Sequence, residues 1–322
     1  MQQAETTAEA RALSTSELST KAQLLLRNIN AVLVGQSAAA RLAVIAFLAG
    51  GHVLIEDVPG VGKTLLAKSL AGSVQSDFKR IQCTPDLLPS DICGVSVFDS
   101  KEGSFKFIPG PIFTNILLAD EINRATPRTQ SSLLEAMEEN QVTTDGASRK
   151  LPELFFVIAT ENPIEYHGTF PLPEAQLDRF MLSLSLGYPK LEQEIEILDK
   201  TLEESAFSVK AVLSENDVLE ARRAIRNVHV DPSVKRYIVH IVQATRKYPA
   251  IVLGVSPRGS QLLMRAAQAA AFIDGRGFVK PEDVKLLGPS VLGHRIIPKI
   301  RDNRVSHAEL IERVLETIAV PV

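Results

Sequence analysis

The run Asp57-Val58-Pro59-Gly60-Val61-Gly62-Lys63-Thr64 has the residue types and spacing of a phosphate-binding loop. An apolar run, Val53-Leu54-Ile55, precedes it, and a helical pattern, Leu65-Leu66-Ala67-Lys68-Ser69-Leu70, follows. Gly60 and Gly62 let the backbone curl until several N–H groups point into one cavity. A helix that starts near Lys63 adds the positive end of its dipole. Lys63 can then reach the β- and γ-phosphates of a nucleotide, and the Thr64 hydroxyl can ligate Mg²⁺. Pro59, Gly60, Val61, Gly62, Lys63, Thr64 and Leu65 are the candidate contacts of this loop. The generic pattern G-x-x-x-x-G-K-[ST] has Gly where this chain has Asp57.

Three further groups could complete the chemistry. Ile116-Leu117-Leu118-Ala119-Asp120-Glu121 is an apolar strand ending in two acids. Asp120 would sit beside Mg²⁺ and hold its water shell, and Glu121 would polarise the water that attacks a γ-phosphate. Acids also cap helices at strand ends, and it is the phosphate loop that favours the functional reading. A second strand ends in Ala159-Thr160-Glu161-Asn162-Pro163, which would place Asn162 beside the phosphate, orienting the water or touching the γ-phosphate. Arg179 precedes the last strand, and Arg258 lies in the first turn of a helix, where a cation opposes the dipole. Either guanidinium suits the charge that builds on a transferring phosphoryl group; alone, either is also an ordinary surface Arg.

These residues need a frame. Apolar runs at Phe78 to Gln82, Ile116 to Ala119, Leu154 to Thr160 and Met181 to Leu186 join the strand before the loop. Near-continuous apolar strands separated by helical patterns predict an open parallel α/β sheet. Residues 1–16 read as a flexible tail. Helical spacing runs through Leu24, Leu25, Leu26 and Ile29, and Ser37 is placed to cap a second helix up to Leu48. Residues 17–188 are expected to form the α/β core, with inserts at 83–114 and 140–152 that each contain a hairpin. After Tyr188-Pro189 the strands are expected to stop, leaving an all-α domain over 189–322 whose helices open at Ser214, Asp231-Pro232, Ser256-Pro257 and Pro281.

Composition narrows the function. Net charge −3 with 5% aromatic residues and no Trp argues against bulk nucleic-acid binding. Cys83 and Cys93 have no metal or redox spacing and read as reduced core residues. The six histidines are scattered without a ligand motif. The longest apolar stretch, Ala43 to Ile55, is interrupted by Gly50, Gly51 and His52 and is too short for a bilayer. No basic-then-apolar leader is visible, so a soluble, cytoplasmic protein is expected.

Taken together, Val34-Gly35-Gln36, Glu56 to Thr64, Thr84-Pro85-Asp86-Leu87-Leu88-Pro89-Ser90-Asp91-Ile92 and Gly110-Pro111-Ile112-Phe113 resemble a known series. It continues with Leu118 to Ala125, Ala159 to Pro163, Gly168 to Phe180 and Ser256-Pro257-Arg258. The chain resembles the MoxR-type ATPases of the AAA+ superfamily, helix-2-insert group, from about residue 20 to 320. In that family Asp57 is ordinary. The resemblance implies ATP and Mg²⁺, with Lys63 and Thr64 as Walker A, and Asp120 and Glu121 as Walker B. It also implies Asn162 as sensor 1, Arg258 as sensor 2 and Arg179 as the arginine finger serving a neighbouring subunit. Val34, Gly35 and Gln36 lie where the family contacts adenine, and Arg258 would report the γ-phosphate across a hinge near Tyr188-Pro189. A homo-oligomeric, hexameric ring is implied, acting on protein clients, among them proteins with von Willebrand factor A domains. Two other functions start from the same residues, a nucleic-acid translocase and a nucleotide-dependent assembly switch with little turnover.

Overall fold

The computed structural model describes residues 13–163, 168–201, 209–299 and 306–321. Its centre is a five-stranded sheet of β1 (Val53–Glu56), β2 (Phe78–Gln82), β3 (Ile116–Asp120), β4 (Phe156–Glu161) and β5 (Leu182–Leu184). The strand order is β5-β1-β4-β3-β2, all parallel. Register brings Glu56 beside Glu161 and Gln82 beside Asp120, so the acids and amides collect at one carboxyl edge. That edge is where open parallel sheets bind ligands.

The central strands are apolar because both faces are covered. Val53, Ile55, Leu118 and Ile158 point into one buried cluster, and Leu54, Leu117, Val157 and Ala159 into a second. β2 lies at the sheet edge, and its Lys79, Arg80 and Gln82 stay exposed. The first cluster packs against α1 (Thr15–Val32), α2 (Ser37–Ala49) and α3 (Lys63–Ser73). The second packs against α4 (Pro89–Cys93) and α5 (Pro127–Glu139). A short α6 (Glu174–Leu177) leads into β5.

Beyond β5 come α7 (Leu191–Thr201), α8 (Glu215–Arg226), α9 (Pro232–Thr245), α10 (Pro257–Ile273), α11 (Pro281–Leu292) and α12 (His307–Glu316). Small side chains let α2 and α10 approach closely: Ala39, Ala40, Ala43 and Ala46 belong to the same cluster as Ala266, Ala267, Ala270 and Ala271. One apolar core therefore runs from the sheet into the helices.

Three expectations are corrected. Strands do not stop at Pro189. Leu213–Ser214 pairs with Val74–Gln75, and Ile251–Leu253 pairs with Ile297–Pro298. These are two- and three-residue pieces, too short to show as periodicity. Thr15 and Ser16, assigned to the tail, are helical because Ser14 and Glu17 form a capping box; residues 1–12 lie outside the described residues. Ser37 is the first helical residue of α2 rather than its cap, which is Gln36.

Both hairpins form, over Gly94–Asp99 with Ser104–Pro109 and over Gln141–Thr144 with Ala147–Lys150. The second turns on Asp145 and Gly146, both with positive φ, as a two-residue hairpin turn requires. Cys83 and Cys93 are free thiols, and burial pushes them up to about 12 and about 11. His52 is buried between Met137 and Val157: its Nδ1 accepts from Val157 N–H at 3.0 Å and its Nε2 lies 3.1 Å from the Met137 carbonyl. Burial lowers it to about 4, as expected of a structural, neutral histidine.

Candidate functional site

The turn between β1 and α3 is built by glycine. Gly60 has φ 87° and Gly62 φ 102°, left-handed conformations that a side chain would strain. Gly62 is the cap of α3, so the first N–H groups of the helix open toward the cleft. Asp57 anchors the loop from below. Its Oδ2 accepts from Ser185 Oγ at 2.9 Å, Leu186 N–H at 2.7 Å and Gly187 N–H at 2.8 Å, and its Oδ1 accepts from Val58 N–H at 2.9 Å. A glycine here would leave those donors open, the Leu186 N–H among them buried, which explains the departure from the generic pattern. The Lys63 ammonium donates to the carbonyls of Asp57 and Glu161. Burial lowers the Lys63 pKa, against the raising effect of Asp57, Asp120 and Glu121.

A cleft of about 430 Å³ lies over this loop. Pro59, Gly60, Gly62, Lys63, Thr64, Leu65, Asp120, Glu121 and Asn162 all line it, joined by Arg80 and Gln82. Asp120 Oδ1 accepts from the Thr160 hydroxyl at 2.6 Å, and the same hydroxyl accepts from Glu121 N–H at 2.8 Å. Glu121 has φ 57°, a left-handed conformation uncommon for a side-chain-bearing residue. Its Oε2 accepts from Gln82 Nε2 at 3.0 Å and Arg124 Nη1 at 2.9 Å. The Glu161 carboxyl faces away from these partners. Burial and the adjacent Glu56 raise it to about 7, and its Oε1 has no hydrogen-bond partner.

A smaller pocket of about 190 Å³ adjoins the loop and is lined by Val34, Gln36, Val61, Leu65, Pro189 and Ile197 among others. Gln36 Nε2 donates to the Val61 carbonyl at 3.0 Å and to the Gly187 carbonyl at 3.2 Å. An apolar slot beside a phosphate loop suits a flat base. Gly35 does not line it. It has φ 78°, and a Cβ there would strike the Gln193 side chain.

Besides Gly35, two candidate residues lie outside these pockets. Arg179 and Arg258 do not line the phosphate cleft but converge on Glu138 at the end of α5. Arg179 Nε is 3.1 Å from Glu138 Oε2, and Arg258 Nη1 is 2.5 Å from Glu138 Oε1. The Arg258 hydrogen bond, with the charge of both arginines, holds the Glu138 carboxyl below its ordinary value. The reason is local packing. Ser256, which caps α10, donates to Asp178 Oδ2 at 3.2 Å, and Arg295 Nε donates to Asp178 Oδ1 at 2.8 Å. The start of α10 is thereby tied beside Arg179, and the expected cis contact of Arg258 with its own phosphate site is not made.

The similarity to known proteins agrees with this geometry. Residues 52–182 match the ATPase family associated with various cellular activities (AAA), and residues 243–314 match the AAA lid domain. The chain is 49% identical to YeaC of Bacillus subtilis, over 92% of this chain and 94% of that protein. It is 39% identical to the chaperone MoxR1 of Mycobacterium tuberculosis, over 91% of this chain and 80% of that one. A crystal structure of a candidate ATPase from Cytophaga hutchinsonii superposes with a TM-score of 0.88 at 38% identity, covering 96% of this chain and 97% of that one. The chain belongs to the MoxR family of AAA+ ATPases.

In this MoxR-family chain the donor set fits Mg²⁺. One carboxylate, Asp120, and one hydroxyl, Thr64, share the cleft wall with the phosphate loop. Mg²⁺ is commonly held by one or two carboxylates together with nucleotide phosphates and water. Among the described residues no helix is long and apolar enough to cross a membrane.

Reading the chain did not single out Arg80, Gln82, Thr160 or Glu138. Arg80 and Gln82 stand two apart, so they share one face of β2; only the strand order puts that face against Asp120. Glu138 looks like any acid on an amphipathic helix until α10 is in place.

Proposed function

We propose that this MoxR-family chain is a Mg²⁺-dependent ATPase that works as a ring, hexameric on the family pattern, and couples ATP hydrolysis to remodelling or maturation of partner proteins. The observation that carries this reading is convergence: Lys63, Thr64, Asp120, Glu121 and Asn162 come from three strand ends and line one cleft. Val34 and Gln36 hold the base, while the Gly60–Lys63 backbone and the Lys63 ammonium hold the phosphates. Thr64 and Asp120 hold Mg²⁺, which when bound supplies charge neutralisation on the phosphates. Glu121 polarises the attacking water, and Asn162 orients it. Arg179 is the arginine finger that stabilises charge on a neighbouring subunit's nucleotide, and Arg258, which shares Glu138 with it outside the cleft, is the sensor 2 arginine. The division into a core over 17–188 and a lid over 189–322 belongs to the same reading.

Clients meet the hairpin of Gly94–Asp99 and Ser104–Pro109. It exposes Val95, Val97, Phe98, Phe105 and Ile108, an apolar surface of the kind that marks interaction sites. One relative is named as a chaperone, which supports a protein client, and von Willebrand factor A domain proteins fit the family resemblance.

ATP-analogue affinity and turnover test the cleft assignments together. Lys63→Ala is expected to abolish nucleotide binding, because Lys63 meets phosphate already in the ground state. Glu121→Gln is expected to keep binding and lose about 10²-fold or more in turnover, because it acts on the water. Equal loss of affinity in both variants contradicts these roles. Stimulation of turnover by single-stranded DNA and not by a client protein would instead favour the translocase.

A further inference from the structure

The Asp120 carboxylate already has a cation on it. Arg80 Nη2 lies 2.6 Å and Arg80 Nε 3.2 Å from Asp120 Oδ2, two N–H groups of one planar fork on a single oxygen. The other oxygen takes the Thr160 hydroxyl. Arg80 Nη2 also donates to Gln82 Oε1 at 2.8 Å, and Gln82 Nε2 in turn donates to Glu121. Arg80 thus arranges both acids at the end of β3, Asp120 directly and Glu121 through Gln82. Nothing in the mechanism above uses it.

Three features make this contact exchangeable rather than structural. The Arg80 side chain is 47% exposed and returns to water at little cost, whereas the Asp120 carboxylate is only 16% exposed and needs another cation in its place. Arg80 comes from the edge strand, with solvent on one side. Its side chain lines the same cleft as Lys63 and Thr64, so a guanidinium that leaves Asp120 remains within a cleft suited to phosphates.

We propose that Arg80 is a positioning residue that stands in for the divalent cation: it neutralises and holds Asp120 in the metal-free protein, then yields that carboxylate and turns to the nucleotide phosphates. The inference rests on the nucleotide-binding reading of the cleft. It gives Arg80 two ground-state roles, competition with metal for Asp120 and attraction of phosphate.

Two binding measurements on the full chain test it without using turnover. The first is Mn²⁺, as a probe for Mg²⁺, bound to nucleotide-free protein and followed by electron paramagnetic resonance. The second is ADP affinity in excess EDTA. Arg80→Gln removes the charge and keeps a polar side chain. It is expected to tighten Mn²⁺ about tenfold and to weaken metal-free ADP about tenfold. Arg80→Lys keeps the charge without the fork and is expected to fall between. Asp120→Asn is expected to abolish the Mn²⁺ gain in the double variant. Circular dichroism and thermal melting verify that each variant is folded. If wild-type protein binds ADP and Arg80→Gln leaves Mn²⁺ affinity unchanged or weaker, the Arg80 proposal is overturned while the cleft reading survives. If wild-type protein binds no nucleotide at all, both fall together.

Discussion

The phosphate cleft and the arginine pair on Glu138 are built on opposite principles. The cleft is pre-formed inside the chain at a cost: a left-handed Glu121 and a desolvated Lys63, with, on the adjoining strand end, a Glu161 oxygen that has no partner. The arginine pair stores nothing. Two part-exposed guanidiniums rest on one part-exposed carboxylate, an arrangement of small net value. Residues that act within their own subunit are held by the fold. In the proposed ring, a residue that serves a neighbour need only be kept in reach, and its energy would be realised on assembly. Changes in the cleft should therefore disturb stability and pH response, whereas changes at the arginine pair should disturb turnover alone.

The strongest challenge to this contrast is Arg179→Ala. Turnover is expected to fall about 10³-fold, the range of a trans-acting arginine, with folding stability changed by less than about 1 kcal/mol. Mixing Arg179→Ala with Glu121→Gln subunits should restore part of the activity, because a Glu121→Gln subunit donates its intact Arg179 to a neighbour that keeps Glu121. Full activity of Arg179→Ala alone, or no recovery in rings shown to be mixed, would remove the trans role.

Next in size is Asp57→Ala. Losing the acceptor of two backbone N–H groups and a hydroxyl is expected to cost about 4 kcal/mol in denaturant unfolding. Asp57→Asn, which keeps an acceptor oxygen, should cost less. A loss as small as that of Arg179→Ala would blur the contrast.

The smallest effect sharpens it. Glu161 holds its proton up to about 7 in the folded chain, against an ordinary 4.5. Its folded pKa is raised, so the native state binds the extra proton and stability falls as pH rises from about 4.5 to about 7. The slope from this group is at most about 1.4 kcal/mol per pH unit. Unfolding free energies of wild type and Glu161→Gln across that window should diverge with this sign, the variant being flatter. Parallel curves would mean that the carboxyl is hydrated in the native state.

Much of the cleft was legible because it is encoded locally. The loop, Asp120-Glu121 and Asn162 each follow an apolar strand, and parallel strands deliver their ends to one edge. The five strands, both hairpins and the capped helices of 214, 231, 256 and 281 could be read for the same reason. What escaped was pairwise and distant. Arg80 meets Asp120 only through strand order, and Arg258 meets Glu138 only because α10 docks beside Asp178. No period along the chain records where one element settles against another. The short ladders after β5 escaped because two or three residues carry no pattern.

Asp57 has a mechanical consequence. One carboxylate grips the base of the phosphate loop and residues 185–187, the stretch from which the following helices are suspended. Gln36 bridges the same two places, through Val61 and Gly187. Between loop and suspension there is no compliant spacer, only the length of a side chain. A tightening of the loop around a phosphate would be passed on directly to the segment that leads into those helices, with little slack to absorb it.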